Sequence, residues 1–256
     1  MKILVAMKQV PARDSLLRAA PSGLWLDEAD LGFEVNEPDA YALEAGLQLR
    51  ERYGGEVVVA TLGPDRAEPA LRECLAKGAD RAIHIAADSP ESFDPLATAR
   101  LLAAACAPEQ PDLILTGLQS DDLGSGQTGV LLAELLGLPH ATLVMAIDAE
   151  NGTLRVKREL EGGWFQHLSM PAPAVLTIQS GISRLRYATL MGIKKARSKE
   201  IRRIDAASLG VTPAPGLRLL RLYPPQRAKQ TQFLSGSPAQ QAAALVDKLK
   251  FEARVL

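Results

Sequence analysis

Four short apolar runs rich in Val, Ile and Leu punctuate the first half of the chain: ILVAM within Lys2 to Met7, VVVATL from Val57, AIHIA from Ala82 and LILTG from Leu113. Longer stretches with apolar positions at helical spacing follow them. PDAYALEAGLQLRERYG, PDRAEPALRECLAKG, DPLATARLLAAACAP and GQTGVLLAELLGLP predict four helices. Asn36 or Asp39 stands where the first helix wants a side-chain cap, and Gly54 ends it. Strand and helix alternating at this spacing predict right-handed crossovers and an α/β fold: a mostly parallel, doubly wound sheet covered on both faces.

Past Pro139 the pattern changes to strands without helices between them: ATLVMAID, TLRVKREL, a Gly162-Gly163 turn, WFQHLSM and AVLTIQS. The two runs joined at the glycines read as a β-hairpin that extends or flanks the sheet. From Ser183 the chain is basic and irregular, and from Val211 it is rich in proline (VTPAPGLRLLRLYPPQRAKQ) before a last helix, PAQQAAALVDKLKFEARVL. The organisation is therefore a body over residues 1–210 and an extension over 211–256. The extension buries little apolar surface by itself, so it is either an arm laid on another subunit or a linker.

Composition narrows the classes. With 256 residues, 47% hydrophobic and a net charge of -1, the chain can build one large core and lacks the basic excess of a nucleic-acid binder. MKILVAMKQV is too short an apolar run for a secretory signal, and no later segment is long enough to insert in a membrane, so a cytoplasmic location is expected. Cys74 and Cys106 lack CxxC spacing and sit in helical stretches, which suits buried, reduced thiols. His84, His140 and His167 have no metal-ligand spacing, and no GxSxG, HExxH or paired-carboxylate arrangement occurs. The expectation is a binding protein with no catalytic side chains and no metal.

Candidate chemistry concentrates in LQSDDLGSGQTG, Leu118 to Gly129, between an apolar strand and a helix. In open parallel sheets ligands settle where strand ends enter helices. Gly124, Gly126 and Gly129 let backbone approach an anion, Ser125 and Thr128 offer hydroxyls, and a helix N-terminus follows. The alternative is a capped turn with no ligand. The loop has no lysine, and Asp121 and Asp122 oppose a triphosphate, so a mono- or diphosphate fits better. VAMKQVP, TLGPDRA and VNEPD should converge on the same crevice, with Asn36 either reading a base or ribose or acting as a cap.

Several of these stretches resemble one family. VKRELEGGWFQHLSMPAPAVLT, Val156 to Thr177, fits the signature of the electron transfer flavoprotein beta subunits at Val156, Arg158, Glu161-Gly162-Gly163, Gln166, Leu168, Pro173, Val175-Leu176 and Thr177. MKILVAMKQVP, VNEPDAYALEAGLQL, LRECLAKGADRAIHI, DLILTGLQSDDLGSGQTG and RYATLMGIKKARSKEI extend the resemblance to about Ile201.

The resemblance implies a fold similar to the adenine nucleotide alpha hydrolases, a heterodimer with an alpha subunit holding most of the FAD site, and a structural AMP in the beta subunit. AMP contacts carry over to Ala6, to Asn36, Glu37, Pro38 and Asp39, to Leu62 and Gly63, and to the loop through Gln119, Asp121, Asp122, Gly124, Ser125, Gly126, Gln127, Thr128 and Gly129. Arg158 and Glu159 carry over to positions near the alpha-subunit flavin. RYATL resembles the loop that docks acyl-CoA dehydrogenases and related partners, with Arg186, Tyr187 and an apolar anchor, Leu190, beside Lys194, Lys195, Arg197 and Lys199. Electrons would pass on to a membrane quinone reductase, the ETF-quinone oxidoreductase, as in fatty acid oxidation. PARDSLLRAAPSGLWL lacks the aromatic that some members place near the flavin, and Arg184-Leu185 replaces the family's Glu-Pro before the docking loop. Two other readings remain: a bifurcating member with FAD in place of AMP, and a homodimeric ATP-binding regulator of the universal-stress type.

Overall fold

In a computed structural model of the chain, residues 1–88, 93–150, 152–225 and 231–256 are described, and the end of the proline-rich stretch, 226–230, lies outside them. They form two compact units, Met1–Leu222 and Tyr223–Leu256.

The first unit is built on β1 (Lys2–Ala6), β2 (Gln9–Pro11), β3 (Phe33–Val35), α1 (Glu37–Tyr53), β4 (Glu56–Gly63), α2 (Glu68–Lys77), β5 (Arg81–Ala86), α3 (Pro95–Cys106), β6 (Leu113–Gly117), α4 (Thr128–Leu136), β7 (His140–Glu150), β8 (Thr153–Glu159), β9 (Phe165–Pro171), β10 (Ala174–Ile178), α5 (Leu190–Ala196) and β11 (Ile201–Asp205). The sheet runs β11-β5-β4-β1-β6-β10-β7-β8-β9. All neighbours up to β7 are parallel, and β8 and β9 add antiparallel pairs at the end.

Alternation of side chains along the central strands explains the two covered faces. Ile3, Val5, Val57 and Val59 pack with Leu43, Leu47, Leu71 and Leu75 of α1 and α2. Leu4, Val58, Ala60 and Ile114 pack with Leu102, Cys106 and Leu132 of α3 and α4. Chain order reverses at β1, which has β4 on one side and β6 on the other. Such a reversal opens a crevice at the carboxyl ends of the strands.

The expected hairpin is β8 and β9, and it extends the sheet as its outer edge. AVLTIQS behaves differently from its neighbours in sequence, for β10 lies inside the sheet between β6 and β7. Its residues Ala174–Ile178 are buried at every position, the mark of a strand covered on both faces. Both cysteines are free and buried, and burial pushes each thiol up to about 12. No helix among the described residues is long and apolar enough to cross a membrane.

The second unit contains α6 (Pro238–Asp247), which continues into a π-helical turn, Lys248–Glu252. A capping box starts it: Ser237 Oγ accepts from the Gln240 amide at 3.4 Å, and Gln240 Oε1 accepts from the Ser237 amide at 2.8 Å.

Candidate functional site

A cavity of about 690 Å³ opens at the chain reversal. Ala6 of β1, Leu62 and Gly63 of β4, and Thr116 and Gly117 of β6 supply its strand-end walls. From the loop, Gln119, Asp121, Asp122, Ser125, Gly126, Gln127, Thr128 and Gly129 line it, as do Asn36 and Asp39 of the α1 start. Glu37, Pro38 and Gly124 are not on its surface. Arg158 and Glu159 lie away from it on β8, and so do Arg186, Tyr187, Leu190, Lys194 and Lys195.

The start of α1 works differently from a simple cap. Asn36 occupies the cap position yet makes no side-chain cap bond. Its Nδ2 donates to the Gln119 carbonyl at 2.9 Å, its Oδ1 accepts from the Asp121 amide at 2.9 Å, and its own amide donates to the Lys8 carbonyl at 3.0 Å. Asp39 is no cap either. Its two carboxylate oxygens accept from the amides of Lys8 at 2.8 Å and Gly117 at 2.7 Å. These two residues therefore staple the ends of β1 and β6 and the loop into one rim. Burial pushes the Asp39 carboxyl up to about 6, against the pull of the amides of Lys8 and Gly117.

Within the loop, Gly124 (φ 61°) and Gly126 (φ 62°) sit in the left-handed region, so the turn itself requires them. Gly129 serves packing: a Cβ there would come within 2.6 Å of Thr116 Oγ1 and 2.7 Å of Thr177 Cγ2. The α4 N-terminus has no side-chain cap. Among the described residues, the amides of Ser125 through Gly129 have no protein acceptor. A row of unfilled amides at a nine-residue helix, facing a cavity, is suited to an anion.

The loop's acids are neutralised from outside it. Lys8 Nζ donates to Asp122 Oδ1 at 2.6 Å and Ser120 Oγ at 3.4 Å. Arg13 Nη2 lies 3.4 Å from Asp121 Oδ2 and also pairs with Glu37. Neither base belongs to the motif, which is why spacing alone missed them. Lys8 carried a signal nonetheless, for it stands immediately after the first apolar run, at a strand's carboxyl end.

Two segments cover the cavity. The loop between β2 and β3 is fastened by Arg66, whose Nε and Nη2 donate to Glu28 at 2.8 and 2.7 Å and whose guanidinium stacks 3.9 Å from the Phe33 ring centre. Trp25 Nε1 donates to the same Glu28 at 2.8 Å. Residues 211–222, placed in the extension on sequence grounds, belong to the first unit and contribute Leu219 and Leu222 to the lining. Asp94 Oδ2 accepts from the amides of Gly216 and Leu217, and Arg100 Nη1 donates to the carbonyls of Pro213 and Ala214. The Leu222 amide donates to the Gly23 carbonyl at 2.6 Å, joining the two covers.

A second feature is separate from the cavity. Tyr187 and Leu190 are 90% and 88% exposed, and Met191 and Ile193 are also exposed. Thr189 Oγ1 caps α5 by accepting from the Gly192 amide at 3.0 Å. Lys194 and Lys195 make no acidic pair among the described residues. Two bases attributed to this patch are spent elsewhere: Arg186 pairs with Glu44 and Glu51, and Lys199 Nζ donates to the carbonyls of Leu75 and Ala79. On β8, Arg158 donates to Thr142 at its carbonyl (3.1 Å) and hydroxyl (2.8 Å), and Glu159 accepts from Gln179 at 3.3 Å.

The profile of the electron transfer flavoprotein domain matches residues 23–209. The chain is 38% identical to the electron transfer flavoprotein subunit beta of Methylophilus methylotrophus, over 96% of this chain and 97% of that one. It is 37% identical to the mitochondrial subunit beta of Oryza sativa subsp. japonica over the full length of both, and 32% identical to the subunit beta of Homo sapiens over 100% and 99%.

Proposed function

This chain belongs to the electron transfer flavoprotein family, among its beta subunits, and from that premise we propose that it pairs with an alpha subunit, buries one AMP and helps to hold the FAD of the complex. The observation that carries the AMP reading is the row of unfilled amides, Ser125 to Gly129, at the wall of a 690 Å³ cavity. A single phosphate on those amides needs no lysine within the loop and no metal. The strand ends at Ala6 and Leu62 leave room for a base and ribose beside it. The chain's role is then binding and positioning. FAD, when bound, supplies the electron-carrying chemistry.

Arg158 and Glu159 lie on the hairpin that the resemblance assigns to the alpha-subunit flavin, and residues 211–256 are the segment assigned to clasping that subunit, its first part, up to Leu222, belonging to the first unit. Tyr187 and Leu190, with Lys194 and Lys195, form the docking patch for acyl-CoA or related dehydrogenases, whose electrons leave for a membrane quinone reductase. An exposed apolar anchor beside lysines suits a fast, salt-sensitive encounter with an acidic surface. The location that follows is the cytoplasm or the compartment where those dehydrogenases work.

Gentle affinity purification with mass analysis of every protein and nucleotide tests this. The expected result is one larger subunit with FAD and AMP in equal amounts. Twice as much FAD with no AMP would replace this reading with the bifurcating one, and a flavin-free homodimer carrying ATP would overturn the family role altogether.

A further inference from the structure

The anion loop has no lysine of its own, yet one reaches it. Lys8 leaves the end of β1 with both backbone groups fixed: its amide donates to Asp39 and its carbonyl accepts from Asn36. Only the side chain is free to move, and it lies across the crevice on Ser120 and Asp122, with its side chain 37% exposed and facing the cavity. The remaining bases of the lining are otherwise committed. Arg66 is held by Glu28, Gln9 and the Phe33 ring, and Arg13 is shared between Glu37 and Asp121.

Charge makes Lys8 significant. Asp121 and Asp122 stand in the same loop as the unfilled amides, so a phosphate there meets two like charges unless they are covered. Lys8 covers Asp122 with a single contact through a compact ammonium that has three donors, only two of which are used. We propose that Lys8 is the phosphate-binding cation of this cavity, turning its remaining donor to the ligand phosphate while it keeps Asp122 covered, so that the β1 end supplies the charge the loop lacks.

This rests on the nucleotide reading above and adds to it a residue and a basis for specificity. Lys8 selects for the phosphate and is indifferent to the nucleoside. Sequence supports the economy of the arrangement, since a lysine just past the end of a buried strand needs no glycine-rich motif around it to face the crevice.

The test uses the full chain with its flavin-bearing partner subunit, freed of nucleotide, and measures binding of AMP and of adenosine. The variants are Lys8→Met, which keeps the stem, and Lys8→Arg, which keeps the charge. Loss of a charge-assisted hydrogen bond predicts roughly 10- to 100-fold weaker AMP binding in Lys8→Met. Adenosine binding should stay unchanged, and Lys8→Arg should recover most of the loss. An equal fall for AMP and adenosine would make Lys8 a structural brace and overturn the proposal, as would unchanged AMP binding. Because wild type alone must also prefer AMP to adenosine, and lose that preference with rising salt, a variant that fails to fold leaves the idea exposed to refutation. Wild type that binds AMP and adenosine equally well refutes the role of Lys8 only, whereas wild type that binds neither refutes the nucleotide reading as well.

Discussion

The guanidinium of Arg186 grips the carboxylate of Glu44 edge to edge, with Nε donating to Oε2 at 2.8 Å and Nη2 to Oε1 at 3.0 Å. Glu44 is only 4% exposed, on the face of α1. Burial pushes its carboxyl up, but Arg186 and Gln48 together hold it below the usual range. The segment before the exposed patch proposed for docking is thereby riveted to the body, and Arg186 is a fastener of the patch that carries Tyr187 and Leu190.

Arg186→Ala should therefore cost about 3 kcal/mol in chemical denaturation, because it leaves a buried carboxylate without its partner. Arg186→Lys should recover only part of this, since an ammonium cannot reproduce the fork. If Arg186→Ala weakened dehydrogenase coupling with the denaturation midpoint unmoved, the residue would be a docking contact and the fastener reading would be wrong.

Asp39 makes stability depend on pH in a direction opposite to most carboxylates. Its folded value, about 6, lies above the ordinary 3.8. Between those values the folded chain keeps a proton that the unfolded chain has released, so this group's contribution is full below pH 3.8 and is lost as pH rises through about 6, by about 3 kcal/mol at most. The amides of Lys8 and Gly117, the Asn36 side chain and the Lys8 charge are the groups facing it that oppose the shift. Asp39→Asn should remove the dependence. The stability of wild type minus that of the variant is expected to fall from pH 4 to pH 7, and a difference constant across that range would refute the assignment.

Much of this was legible in the chain. Ile3, Leu4 and Val5 point alternately to two cores, which is why an unbroken apolar run reads as a strand covered on both faces. The hairpin was legible because Gly162 and Gly163 take φ of 68° and 79°, which few other residues tolerate. Asn36 and Asp39 show where such reading ends. Local rules make both caps, and the structure turns both side chains to backbone groups near or beyond 80 residues away, at Gln119, Asp121 and Gly117. Long-range partners of that sort leave no periodicity. The same holds for Lys8 and Asp122, which are 114 residues apart.

Leu190 stands 88% exposed at the first position of α5 and supports nothing in the core. Leu190→Ala should shift stability by less than about 0.5 kcal/mol. As an apolar anchor it should matter far more to docking, with roughly a tenfold loss in dehydrogenase-coupled flavin reduction. The flavin absorption spectrum is expected to stay the same. Normal coupling in this variant would remove the patch from the docking surface.

The cover over the cavity hangs on Asp94. One carboxylate oxygen caps α3 by accepting from the Ala97 amide at 2.8 Å, and the other holds the Gly216 and Leu217 amides at 2.7 and 2.9 Å. Burial pushes this carboxyl up, but the amides of Ala97, Leu217 and Gly216 outweigh it and keep it below the usual range, so its contribution persists above pH 4 and is lost in acid. Asp94→Ala removes a helix cap worth about 1 kcal/mol and releases the Gly216 and Leu217 amides at the same time. Asp94→Ser separates the effects, for a hydroxyl can still cap α3 but is too short to bridge to the cover. Labelled AMP should exchange faster in both variants, whereas the loss of stability should appear mainly in Asp94→Ala. Nucleotide exchange as slow as in wild type, in a variant whose chain around Gly216 and Leu217 is newly open to protease, would show that this cover does not gate the cavity.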